Sequence, residues 1–346
     1  MLFLGALLCP ILSLASPADN PKPIIYARAA VLIEESTGKV LYAKNPNIIM
    51  APASTTKIMT GILCIEKGNL DQLVRISGNA AARGGSRMNL RRNERFKLRD
   101  LLYGLLLSSG NDAATAIAEA IAGSEYRFAL MMTRKARELG LKHTRYINAS
   151  GLPAYNHYTT AYDLARLARY ALQNQLFASI VQTKEAVVPG PTPDQTTTLV
   201  NHNKLLWDYP YTTGIKTGYT RKAGRCLVAS AKKRDVTLIA VVLKSGNTYG
   251  DSRKLFEYGY KLLNVPDPEP VVPNPEPVVP NPDPAQSAAT PSTQVSPDPN
   301  AANPEASFFD NWESDPFNAI PSSIIIEQDL MMIDPELTDG EELENE

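Results

Sequence analysis

The stretch Ala30-Val31-Leu32-Ile33-Glu34-Glu35-Ser36-Thr37-Gly38-Lys39-Val40-Leu41-Tyr42-Ala43 sets the architecture expected of this chain. Two short apolar runs flank Ser-Thr-Gly-Lys, the pattern of a β-hairpin closed at a glycine turn. A second such pattern lies far downstream. There Arg225-Cys226-Leu227-Val228-Ala229-Ser230-Ala231 and Val236-Thr237-Leu238-Ile239-Ala240-Val241-Val242-Leu243 are joined by Lys232-Lys233-Arg234-Asp235. Between the hairpins the apolar spacing turns helical. One helix is expected from Ser54 to about Glu66, and others over 98–107, 112–122 and 125–139. Thr160-Ala161-Tyr162-Asp163 opens a further helix at capping-box spacing, strand character returns after about 184, and a last helix is expected over 251–263. Strands at both ends with helices between them predict one α+β domain, an antiparallel sheet built from both chain ends and packed with helices. A doubly wound sheet would need regular βαβ alternation, which is absent.

The 346 residues carry a net charge of -1, but the charge is unevenly placed. Residues 265–346 hold 18 acidic and no basic residues, so the preceding part has 35 basic against 18 acidic residues. That tail also holds 16 of the 27 prolines, a composition that cannot close a core and predicts an extended, disordered spacer. Its apolar islands, Phe308-Phe309-Asp310-Asn311-Trp312 and Ile324-Ile325-Ile326, are candidate motifs for an unknown partner. A basic body is a footprint for nucleic acid, yet zinc-finger spacing and an RNA-binding aromatic signature are both missing. Other polyanions fit, among them wall polymers and anionic membrane surfaces.

Residues 1–15 are an apolar run followed by Ser16-Pro17-Ala18, which predicts a signal peptide over 1–18 and export. The globular domain is then expected over 24–264. It keeps Cys64 and Cys226, expected to be buried free thiols, since two cysteines with no paired histidines cannot complete a zinc shell. No metal and no cofactor is expected. His143, His157 and His202 show no ligand spacing and are expected at the surface or in ordinary hydrogen bonds.

Ser-x-x-Lys by itself says little, because ordinary frequencies give about one chance match in a chain this long. It occurs at Ser36/Lys39, Ser54/Lys57 and Ser230/Lys233; Ser-Gly-Asn occurs at Ser77, Ser109 and Ser245, and Lys-Thr-Gly once, at Lys216-Thr217-Gly218. Local structure sorts the copies. Ser36 and Lys39 fall in a hairpin turn and Ser230 and Lys233 near a strand end, where three-residue spacing does not hold side chains together. Ser54 falls at a helix start, so Ser54 and Lys57 share one face. The helix dipole there disfavours a charged Lys57 and favours negative charge developing near Ser54. A second cation nearby would lower the Lys57 pKa further, and Lys216 is the candidate.

Pro52-Ala53-Ser54-Thr55-Thr56-Lys57-Ile58-Met59-Thr60, then Ser109-Gly110-Asn111-Asp112-Ala113, then Lys216-Thr217-Gly218, in that order, resemble the low-molecular-mass penicillin-binding proteins of the serine-type D-alanyl-D-alanine carboxypeptidase family. The likeness extends over about 25–263. It implies a Ser54 acyl-enzyme that removes the terminal D-Ala of peptidoglycan stem pentapeptides, a role in cell-wall biogenesis and cell shape, and covalent inhibition by β-lactams. It further implies that Lys57 accepts the Ser54 proton and that Ser109 relays protons to the leaving amine. Asn111 would bind the substrate amide and orient Lys57, and Lys216 would line the edge strand. There Thr217 would meet the substrate carboxylate, Gly218 allow close approach, and the backbone N–H groups of Ser54 and Tyr219 form an oxyanion hole. Gly85-Ser86-Arg87-Met88 resembles a loop near that site, and Asp163 matches a family position that a helix cap would explain.

Two departures stand out. Where many relatives carry a carboxylate-binding Arg, this chain has Thr248, leaving Lys244, Arg221 or Arg253 as replacements. Better-known relatives also have a second, β-rich domain and a C-terminal amphipathic membrane helix; here the Pro-rich acidic tail is expected in their place, and membrane anchoring is not expected. A class A β-lactamase would need a deacylating carboxylate in a Glu-x-x-Leu-Asn segment, and none lies between Asn111 and Lys216. Endopeptidase action would use the same residues. A silent scaffold would have no physical reason to keep them all.

Overall fold

The computed structural model describes residues 20–192 and 194–267. The expected leader and nearly all of the acidic tail lie outside the described residues. The framework is a five-stranded antiparallel sheet in the order β2-β1-β9-β8-β7. Its strands are β1 (Ala29–Glu34), β2 (Val40–Lys44), β7 (Thr212–Thr220), β8 (Gly224–Lys233) and β9 (Val236–Leu243). The first hairpin thus joins the last through β1 and β9, with Val31 opposite Val241 and Ile33 opposite Ile239.

Why the central strands read as nearly unbroken apolar runs follows from their burial on both faces. Alternate residues of a strand point to opposite sides. Val31, Ile33, Val228, Ile239 and Val241 face one cluster, while Leu32, Leu227, Ala229, Leu238 and Val242 face another. The second face is covered by α9 (Thr248–Leu262), whose Leu255, Phe256 and Tyr260 are fully buried. The first face carries the larger helical layer, with α1 (Lys57–Lys67) at its centre and α3 (Leu98–Leu106), α4 (Asn111–Ala122), α5 (Glu125–Glu138), α6 (Ala161–Leu172) and α7 (Gln175–Gln182) around it. Every residue of α1 from Lys57 to Cys64 is buried. Smaller elements complete the chain: β3 (Leu73–Arg75) with β4 (Arg95–Lys97), α2 (Gly78–Ala81), β5 (Glu185–Pro189) with β6 (Thr196–Val200), and α8 (Leu205–Asp208). Among the described residues no helix is long and apolar enough to cross a membrane.

Ser77, at the first Ser-Gly-Asn copy, caps α2 and accepts from Ala80 N at 2.9 Å. Two local expectations change. Asp163 does more than a cap. Thr160 Oγ1 caps α6 by accepting Asp163 N, but the Asp163 carboxylate accepts from His143 N and Thr144 Oγ1, both at 2.8 Å, tying down the preceding loop. The folded body also runs past 264, since Val265 N donates to Tyr260 O and the buried Lys233 pairs with Asp267. Cys64 and Cys226 are buried free thiols, as expected.

Candidate active site

The chain enters the site through a 3-10 turn, Ala53–Thr56, which runs directly into α1. Ser54 therefore sits at the start of a helical run and Lys57 one turn on, at the foot of the central helix. Lys57 is fully buried and, among the described residues, has no carboxylate partner. Its Nζ donates to Ser54 Oγ at 3.0 Å, Asn111 Oδ1 at 2.8 Å and Ser150 O at 2.6 Å, all neutral oxygens. Burial lowers its pKa well below the usual lysine value; repulsion by Lys216 adds to this, and Asp112 opposes it.

Lys216 comes from β7, the edge strand of the sheet, and is 2% exposed. Its Nζ contacts Thr217 O at 3.3 Å, and burial lowers its pKa to about 7. Two lysines are thus held inside the protein, and the charge of Lys216 disfavours a charged Lys57. The helix start and the edge strand almost touch. A Cβ on Gly218 would come 3.0 Å from Ser54 N, so a side chain there would push the strand off the serine. Gly151, at φ +84, is equally constrained, because a Cβ would collide with Ala53 O at 1.8 Å. That close packing holds the Ser150 carbonyl over Lys57.

Asn111 opens α4 and is 4% exposed. Its amide nitrogen donates to Gly84 O at 2.7 Å while its oxygen accepts from Lys57, which fixes which way the amide faces. Asp112 next to it is wholly buried and accepts from Met88 N and Leu90 N, anchoring the 84–90 loop over the site. Ser109 lies in the turn before α4 at φ +58 and is 3% exposed. It is not among the hydrogen-bond partners of Lys57 or Lys216. Thr217 is half-buried, and the Tyr219 side chain is exposed at the open end of β7.

The cations weighed as replacements at Thr248 part ways. Arg253 is turned to Asp208, donating to its carbonyl at 2.8 Å. Arg225, which the sequence did not single out, lies opposite Tyr219 on β8 and reaches Gly246 O at 3.4 Å. Ser150 was also missed. It contributes a backbone carbonyl, for which no letter in the sequence stands as a signal. His157 is buried, hydrogen-bonded to Thr56 Oγ1 at 3.1 Å, with its pKa lowered to about 4 by burial, so it is neutral at physiological pH.

A helix-start serine and lysine facing a Lys-Thr-Gly edge strand, on a sheet made from both chain ends, define the penicillin-binding DD-peptidase fold. The solved Streptomyces K15 DD-transpeptidase shares it, with a TM-score of 0.66 and 32% identity over 70% of this chain and 99% of that one. The family described as D-alanyl-D-alanine carboxypeptidase matches residues 16–247, and the chain belongs to it. D-alanyl-D-alanine carboxypeptidase DacF of Bacillus subtilis is 46% identical over 221 residues, 62% of this chain and 57% of that relative. A D-alanyl-D-alanine endopeptidase of Pseudomonas aeruginosa is 32% identical over 72% of this chain and 82% of its own length. The chain thus spans little more than half the length of DacF.

Proposed function

We propose that this protein is a serine-type D-Ala-D-Ala carboxypeptidase that removes the terminal D-Ala from peptidoglycan stem pentapeptides through a Ser54 acyl-enzyme. One observation carries the reading: the hydrogen-bond arrangement around Lys57 Nζ. A neutral amine has two N–H bonds and one lone pair. With Asn111 Oδ1 and Ser150 O taking the two hydrogens, the lone pair is left for the Ser54 hydroxyl. Burial and Lys216 favour that neutral form.

Ser54 Oγ attacks the carbonyl of the penultimate D-Ala and gives its proton to Lys57. The oxyanion is met by the N–H groups of Ser54 and Tyr219. As the C–N bond breaks, the leaving amine takes up a proton relayed through Ser109, and D-Ala departs. Water then attacks the ester with the same base. Thr217 and the cations at the open end of β7 and β8, Arg225 foremost, receive the substrate carboxylate. The same geometry accepts a β-lactam carbonyl, and a tethered leaving group makes that ester slow to hydrolyse. The expected leader over 1–18 would export the enzyme to the wall, and the acidic tail from 265 onward would be a spacer dispensable for chemistry.

Two measurements test this. Incubation with a diacyl-Lys-D-Ala-D-Ala peptide should release D-Ala, and brief exposure to penicillin should add one antibiotic mass, mapped to Ser54 and absent in Ser54→Ala. Fast multiple-turnover penicillin hydrolysis without an adduct would make the protein a β-lactamase. Neither an adduct nor hydrolysis would make it a scaffold. Cleavage of a cross-linked dimer in preference to the pentapeptide would make it an endopeptidase.

A further inference from the structure

The two oxygens that take the N–H bonds of Lys57 come from parts of the chain far apart in sequence, and each is held by a neighbour. Asn111 Oδ1 is aimed by the bond from Asn111 Nδ2 to Gly84 O at 2.7 Å. Ser150 O sits in the 148–151 loop, where Ala149 N donates to Glu125 Oε1 at 3.3 Å. Arg83, the residue before Gly84, forms an ion pair with Glu125 Oε2 and donates from Nε to Thr115 Oγ1 at 3.0 Å. One ion pair therefore closes a ring. It joins the segment that aims Asn111, the first turn of α5 and the loop that supplies Ser150 O.

Resting on the Ser54–Lys57 reading above, we infer that Arg83 and Glu125 form a positioning clasp that holds both N–H acceptors of Lys57 at once and so points the Lys57 lone pair at Ser54. Helix formation alone does not explain the pair. Glu125 suits the first turn of α5 through the helix dipole, but that needs no arginine from 42 residues upstream. Nor does fold stability explain it, because ion pairs with the Arg83 side chain 31% exposed contribute little. What the clasp does is geometric. If it opens, Gly84 O and Ser150 O can drift separately, the Lys57 lone pair loses its direction, and water reaches the amine.

The charged and titratable groups around Lys57 set the sign of the effect. Lys216 faces it from β7, Asp112 from α4, and His202 from the turn before α8, held below its usual range by partial burial and then by the two lysines. Burial is the largest cause of the lowered Lys57 pKa, so loosening that admits water raises it. The acid limb of acylation then moves to higher pH. Charge alone would act differently. Arg83→Gln leaves an anion behind and Glu125→Gln leaves a cation, and these would shift Lys57 in opposite directions. Positioning moves both the same way.

The test uses the whole chain with fluorescent penicillin as acylating probe across pH 5 to 10, together with kcat and KM on the diacyl-Lys-D-Ala-D-Ala peptide. Arg83→Gln and Glu125→Gln should each slow Ser54 acylation about ten- to hundredfold, on the order expected for a catalytic group misplaced by a fraction of an ångström to an ångström. Both should move the acid limb upward and leave KM within about threefold of wild type. Thr115→Val, which frees one side of Arg83, should give a smaller change in the same direction and covers the case in which a charge variant fails to fold. Arg92→Gln, exposed on the same segment, should match wild type. Wild-type rates and pH limbs in the variants would overturn the clasp, as would opposite shifts in the two charge variants or a loss confined to melting temperature. A wild-type Ser54 that takes no penicillin would instead overturn the functional reading beneath it.

Discussion

Two places in this molecule carry the letters Ser-x-x-Lys with a buried lysine, and they could hardly differ more. Lys57 is fully buried among neutral oxygens and faces another lysine. Lys233 is 4% exposed, pairs with the Asp267 carboxylate and lies 5.3 Å from the ring centroids of both Tyr211 and Tyr260. Its serine points elsewhere. Ser230 Oγ bonds Thr213 Oγ1 at 2.8 Å, on the opposite face of the sheet, because residues three apart on a strand diverge. On a helix they converge. The backbone decides whether serine meets lysine, and the acceptors decide whether the lysine is a base or a fixed cation. A carboxylate and two ring faces favour the charged amine, whereas amide and carbonyl oxygens in a dry site favour it far less.

The sharpest way to break this contrast is to remove each serine and lysine in turn. Ser54→Ala and Lys57→Ala should lose several orders of magnitude in D-Ala release, as nucleophile and base units do, whereas Ser230→Ala and Ser36→Ala should stay within about twofold of wild type. Near-normal turnover in either of the first two would end the assignment.

Lys216→Met should come next in size, with turnover down on the order of a hundredfold. Removing the like charge raises the Lys57 pKa, so the acid limb of kcat/KM should move to higher pH; a shift to lower pH would contradict the pairing. Stability should move the other way. Lys216 has a folded pKa of about 7, below its unfolded value, so it disfavours the native state increasingly as pH falls from about 10 towards 7. The Met variant should melt a few degrees higher at pH 7, with the gain shrinking toward pH 10 in scanning calorimetry.

Lys233→Met should leave turnover unchanged and lower stability by about 1 kcal/mol, the scale of a partly desolvated cation over aromatic rings. Reduced turnover with an unchanged melting temperature would erase the distinction between the two lysines. The smallest effect is expected from a chain ending after Asp267, which should fold and turn over within about twofold of wild type. One ending at Asn264 should lose less stability than Lys233→Met, since it gives up the exposed Asp267 carboxylate and the Val265 N–H bond to Tyr260 O but keeps Lys233 over the two rings.

Much of this was legible in the sequence because it rests on local periodicity. The two hairpins, the helices over 98–106, 111–122 and 125–138, and the helix start at Ser54 all follow from apolar spacing and turn residues. Local structure picked out Ser54 from the other Ser-x-x-Lys copies, order along the chain picked out Ser109, and Lys-Thr-Gly at Lys216 occurs once. What escaped was non-local or carried by backbone. Ser150 O serves through a carbonyl that any residue could supply, and the Arg83–Glu125 pair joins two unremarkable charges on neighbouring elements. The helix α7 had a readable sign, since Asn174 caps it by accepting from Phe177 N at 3.0 Å, but its eight residues are too few for a firm period. The Asp163 pattern was read correctly as a helix start and incompletely as chemistry, because a carboxylate one turn inside a helix can also serve the loop before it.

The sheet that welds the first strands to the last also imposes an order of assembly. Ser54, Lys57 and Asn111 emerge early from the ribosome, but β1 meets no partner beyond β2 until β9 has been made. Contacts of such long sequence separation form slowly, because the loop between them must close first. Until residues 212–243 arrive, the helical layer lacks the platform on its inner face, and Lys57 lacks the cation that opposes its charge. The nucleophile is translated before the strand that activates it, so a chain that stops short of Lys216 carries the serine without the means to use it.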